Sequence, residues 1–190
     1  MGQSSGVYKY IATVPNVKEV ILAGSADLAY WRDRLAGERL TPYAEEGKAQ
    51  MLISVTALKW MGFPSRELTI SVAVSRREDG GTQDGAYLVH AYNSSSMMAF
   101  MERAFFQTPY YPAQIEIESG NRAAARLVKD GKAILSLKMA ANRKKLRSGE
   151  RKDALWEGAI YLPSAAAKGS ADRKVFYASL GGYTDVYAFA

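Results

Sequence analysis

Leu68, Ile70, Val72 and Val74 alternate with Glu67, Thr69, Ser71 and Ala73 along residues 66–75, the two-residue period of a half-buried β-strand. The run ahead of it, Lys48 to Trp60, is rich in β-formers, and Ala86 to Tyr92 reads as another strand beyond the turn EDGGTQDG. Further strands are expected over Tyr8–Val14, Lys18–Ala23, Leu155–Leu162, Lys174–Leu180 and Tyr183–Phe189. Arg122–Lys129 and Lys132–Met139 flank Asp130-Gly131, two residues that tolerate positive φ and so predict a type I′ hairpin.

The helical period occurs twice. Leu28, Trp31 and Leu35 share one face of a short helix that Ser25 or Asp27 can cap and Gly37 can end. Met97, Met98, Met101, Ala104 and Phe105 form the stripe of a second, read as a core face, with Ser94 to Ser96 as N-cap candidates. Pro109 and Pro112 then exclude helix, and Gln114–Ile117 alternates again, so Tyr110 and Tyr111 sit on a stiff turn between packed elements. About nine strands and two short helices, without a repeat or linker, predict one mainly β (α+β) domain over residues 1–190. The expected form is a highly curved antiparallel sheet, a barrel or cone around a central ligand cavity.

Composition narrows the chemistry. The chain has 190 residues and no cysteine, which removes disulfides, thiolate nucleophiles and cysteine-bound metals. His90 is the single histidine, so a multi-histidine metal site is not expected, and no cofactor motif is present. No signal peptide or apolar span is apparent, which makes a cytoplasmic, non-membrane protein the default expectation. The net charge of +6 favours anionic partners in general. The basic run over residues 142–152 reads as a solvated hairpin loop, because no aromatic residues interleave with its cations.

Arg103 to Ile117, RAFFQTPYYPAQIEI, resembles the active-site segment of the acetoacetate decarboxylase superfamily, with Arg103, Pro109, Ala113 and Ile115 in register. The order of elements resembles that family's fold over most of the chain. The resemblance implies a lyase-type activity on carbonyl compounds in a β-barrel cavity, as in secondary metabolism. The family's two lysines, one of which forms a Schiff base, are replaced by Tyr110 and Tyr111, and a phenol cannot form an imine.

The resemblance also implies a pocket carboxylate at Glu67; the alternative is the solvated face of an amphipathic strand. Lys18 falls where the family has a pocket arginine, against the alternative of a solvated lysine. Tyr110 can polarise a carbonyl, and Tyr111 and Arg103 can bind substrate. Three functions follow. The first is an acid–base enzyme (dehydratase, cyclase, isomerase or imine-free decarboxylase) acting on a carbonyl, β-keto acid or polyketide-like molecule, with Glu67 and Tyr110 catalytic. The second is a non-catalytic small-molecule binder of the same fold. A nucleic-acid binder is the most distant. Homo-oligomerisation is left open.

Overall fold

The computed structural model describes residues 14–60, 62–120, 122–138, 145–164 and 175–187, with backbone alone over 145–157, 175 and 177–187. The strand expected over Tyr8–Val14 therefore lies, but for Val14, outside the described residues. The chain runs β1 (Lys18–Ala26), α1 (Leu28–Leu35), a 3-10 turn, then the short strands β2 (Thr41–Pro42) and β3 (Ala44–Glu45). The long arms β4 (Lys48–Trp60) and β5 (Phe63–Ser75) follow, and then β6 (Gly85–Asn93). Next come α2 (Ser96–Met101), a π-helical turn over Glu102–Phe106, β7 (Tyr110–Pro112) and β8 (Gln114–Glu118). The chain continues with β9 (Ala124–Lys129), β10 (Lys132–Lys138), β11 (Lys145–Tyr161) and β12 (Val175–Tyr187).

The protein is mainly β with two short helices, as the periodicity predicts, but its sheets do not close into a barrel among the described residues. The larger sheet has the order β1-β4-β5-β6-β11-β12, open at both ends, and β8, β9 and β10 form a second sheet of three strands. Nor is the pairing antiparallel throughout. One edge of β6 is shared by two parallel partners, β11 against Gly85–Tyr87 and β7 against Ala91–Asn93. The β11 junction depends on Gly85: a Cβ there would collide with the Ala159 carbonyl oxygen and come within 2.9 Å of the Tyr161 ring.

Two faces follow from the register, because residues paired across strands point to the same side. The apolar face of β5 carries Leu68, Ile70, Val72 and Val74. At one end it packs on the three-stranded sheet through Val55, Leu68, Ile115 and Leu127. At the other it packs on α1, where Trp31 and Leu35 meet Val72 and Val74. Asp27 caps α1, accepting from the Tyr30 amide at 2.6 Å, which settles the choice between Ser25 and Asp27. The opposite face carries Ser65, Glu67, Thr69 and Ser71.

Three expectations need correction. Residues 145–152 belong to β11 and pair with β12, so that part of the basic run is strand rather than loop; residues 142–144 lie outside the described residues. The two final strands are one, β12. The stripe of α2 is not core: Met97 is 59% exposed, Met101 39% and Phe105 66%, and Ala99 is the buried residue of the helix. Helical spacing marks a common face but does not say which side the chain covers. Phe105→Ser should accordingly change the urea-unfolding free energy by no more than about 0.5 kcal/mol, the range of ordinary surface substitutions. A buried phenylalanine would cost several times as much. No helix among the described residues is long and apolar enough to cross a membrane.

Candidate functional site

β7 places the site. It is three residues long, begins just after Pro109, ends at Pro112, and pairs in parallel with the end of β6: Ala91 with Tyr110, Tyr92 with Tyr111, Asn93 with Pro112. Across the sheet, Ala91 pairs with Thr69 and Asn93 with Glu67. Tyr110 therefore shares the face of Glu67, and Tyr111 shares the face of Tyr92 and Leu68.

The side chains close the gap. The Tyr110 hydroxyl donates to Glu67 Oε2 at 2.9 Å. Asn93 Nδ2 donates to Glu67 Oε1 at 3.1 Å, so each carboxyl oxygen has its own donor. Asn93 is wholly buried, and its Oδ1 accepts from Ser65 Oγ at 3.0 Å and from the Ser95 amide at 2.8 Å. Ser95 in turn caps α2, its hydroxyl accepting from the Met98 amide. One amide side chain thus ties the carboxyl to the start of the helix that leads into the tyrosine turn.

Burial pushes the Glu67 carboxyl above the ordinary carboxylate range; the Tyr110 hydrogen bond opposes this, and the charge of Glu102 adds to it. Burial first, and then the neighbouring carboxylates Glu67 and Glu102, hold the Tyr110 phenol well above its usual value. Tyr110 is therefore a proton-bearing donor at neutral pH, and Glu67 is the group able to exchange a proton. Glu102 opens the π-helical turn and accepts from Thr108 Oγ1 at 3.3 Å, and burial raises its carboxyl as well.

The sequence-predicted residues separate. Glu67 and Tyr110 are brought together. Lys18 is not: it pairs with Ala57, and Ala57 with Arg66, so Lys18 lies exposed on the other face, one residue out of phase. The residue on the Glu67 face is Glu19, in the row Glu19–Thr56–Glu67–Asn93. Burial raises the Glu19 carboxyl, while Ser54 Oγ donates to it at 2.6 Å. Arg103 braces the turn, with Nη1 donating to the Tyr110 carbonyl at 3.1 Å and its guanidinium 5.2 Å from the centre of the Tyr111 ring.

Sequence reasoning missed Asn93, Glu102 and Glu19. The available signals were a polar residue closing the apolar strand 86–92 and glutamates adjacent to Lys18 and Arg103. Among the described residues no group of histidine, aspartate or glutamate side chains is arranged to hold a metal ion.

The raised carboxyls set a pH dependence. A carboxyl whose folded value exceeds its unfolded one binds more protons in the folded chain. Its contribution to stability is full below the unfolded value and is lost as pH rises through the folded one. Glu19→Gln cannot ionise, so its stability relative to the unaltered protein should improve in urea titrations as pH rises above about 4, the unfolded value, and level off once the folded carboxyl has ionised. A difference independent of pH would show that Glu19 ionises as freely folded as unfolded.

No family model matches the chain, and no curated protein does. Among solved structures it is similar to an acetoacetate decarboxylase from Legionella pneumophila, with a TM-score of 0.57 and 14% sequence identity. The match covers 97% of this chain and 72% of that one. At that identity the likeness is one of architecture, and the chain has an acetoacetate decarboxylase-like fold.

Proposed function

We propose that the protein is an acid–base enzyme acting on a small carbonyl compound without forming an imine. The observation that carries this reading is the 2.9 Å hydrogen bond between Tyr110 and a Glu67 carboxyl whose proton affinity burial has raised. A ketone oxygen entering beside Tyr110 takes over the phenolic hydrogen bond. Glu67 then removes a proton from the carbon next to the carbonyl. The C–H electron pair moves into the enolate, the oxygen charge is held by Tyr110, and the proton rests on Glu67 until it returns to carbon or leaves to solvent. Enolisation of this kind is the step that isomerases, dehydratases and cyclases of carbonyl compounds share.

Neither Lys18 nor Arg103 faces Glu67, which favours a neutral carbonyl over a β-keto acid anchored by its carboxylate. The acetoacetate decarboxylase-like fold supports action on a carbonyl compound.

The test is proton exchange in heavy water, followed by NMR, with cyclohexanone and ethyl acetoacetate as probes. The protein should accelerate deuterium uptake at the carbon beside the carbonyl. Borohydride added to the same mixtures should trap no adduct on the turn. Binding of a probe without faster exchange would favour the non-catalytic binder, and a trapped lysine adduct would restore an imine mechanism.

A further inference from the structure

The same turn that sends Tyr110 to Glu67 sends Tyr111 to the other side of the sheet, where a second cluster forms. Tyr111 lies beside Tyr92 in the parallel register, and His90 lies two residues farther along β6 on that face. His90 is exposed and its ring is 6.5 Å from that of Tyr92, tilted by 33°. Two cations enter this aromatic strip from separate elements. Lys129, at the end of β9, places Nζ 5.2 Å from the Tyr111 ring centre and 5.9 Å from that of Tyr92. Arg103, from the π-helical turn, lies 5.2 Å from the Tyr111 ring centre. The described residues place no carboxylate within ion-pair distance of either cation; the ion pairs they form are Arg77–Asp79 and Arg126–Glu116. Tyr111 remains 46% exposed.

We propose that this strip is a second binding site, for a ligand that joins a flat aromatic ring to a phosphate, as a nucleotide or the end of a single strand does. Each half of such a ligand has a counterpart. The phosphate, acyclic and fully charged, meets the Lys129 ammonium and the free donors of the Arg103 guanidinium. The ring stacks on the half-exposed Tyr111 or on the exposed His90. Cations interleaved with aromatic rings are the arrangement by which sequence-tolerant nucleotide binding works, and the basic run over residues 142–152 lacks it. Because Arg103 also holds the Tyr110 carbonyl, the two sites share one support.

The experiment titrates the full chain with AMP, inorganic phosphate and adenosine by calorimetry, with hexa-adenylate as a fourth arm. AMP is expected to bind at least about tenfold more tightly than phosphate or adenosine alone, since one stacked base contributes about 1–3 kcal/mol. Lys129→Ala and Tyr111→Ala should each weaken AMP by about fivefold or more, and Arg77→Ala, a cation elsewhere on the surface, should not. Hexa-adenylate binding more tightly than AMP, with a steep salt dependence, assigns the ligand to a strand; equal affinity assigns it to a free nucleotide. The proposal is overturned if AMP binds no better than phosphate, or if Lys129→Ala leaves its affinity unchanged in a variant that unfolds at the usual urea concentration.

Discussion

Glu67→Gln should slow deuterium uptake into the carbonyl probes by about 10²–10⁴-fold while leaving their affinity within a few-fold of the unaltered protein. The amide keeps the shape of the carboxyl and an oxygen for the Tyr110 hydroxyl, but it cannot take a proton. Rate and affinity therefore respond differently in an enzyme. In a binding protein neither would move much. Tyr110→Phe provides the second arm: losing the donor to the developing enolate should cost rate by about 10²–10³-fold, the effect of one oxyanion donor. If Glu67→Gln exchanges protons as fast as the unaltered protein, Glu67 is not the base and its hydrogen bond to Tyr110 is structural.

Gly85→Ala should have the largest effect on stability of any single methyl addition considered, on the order of 3 kcal/mol in urea unfolding. The added Cβ would meet the Ala159 carbonyl oxygen, a backbone atom that cannot swing aside, and the Tyr161 ring behind it. The β6–β11 pairing at Ala159–Tyr161 would have to open, separating the two halves of the larger sheet. Gly24→Ala is the control, because a Cβ there meets nothing within 4 Å. Comparable midpoints for the two variants would show that β11 can shift away from β6 without loss.

Much of the strand framework was legible in the sequence because its physical causes are local. The 66–75 alternation, the Asp130-Gly131 turn with φ of 51° and 75°, and the Asp27 cap each depend on a few neighbouring residues. Tyr110 and Glu67 were legible as a pair through the family resemblance. What the sequence could not supply was phase and partner. Lys18 and Glu19 are adjacent, and a slip of one residue exchanges the two faces of a strand. The α2 stripe has the spacing of a core helix, yet periodicity carries no information about what lies opposite it. The sharing of one β6 edge by β7 and β11 is a long-range choice with no local mark, so an all-antiparallel closure was a reasonable but incorrect expectation. Asn93 has the same difficulty: two of its three partners, Ser65 and Glu67, come from β5, and with Ser95 at the start of α2 they form a set that only the fold assembles.

The three-residue strand between Pro109 and Pro112 also bears on how such a site can change over generations. Neither proline has an N–H to offer a neighbouring strand, so β7 cannot extend into a shifted pairing that would swap its two tyrosines. The backbone therefore fixes which position faces Glu67, whatever side chain stands there. Position 110 can be replaced without rebuilding the turn, and the chemistry offered to Glu67 can vary while the scaffold stays constant. Position 111 is separately free to adapt to whatever meets the face it shares with Tyr92 and Leu68. A short segment locked in phase thus lets two adjacent residues evolve as independent parts.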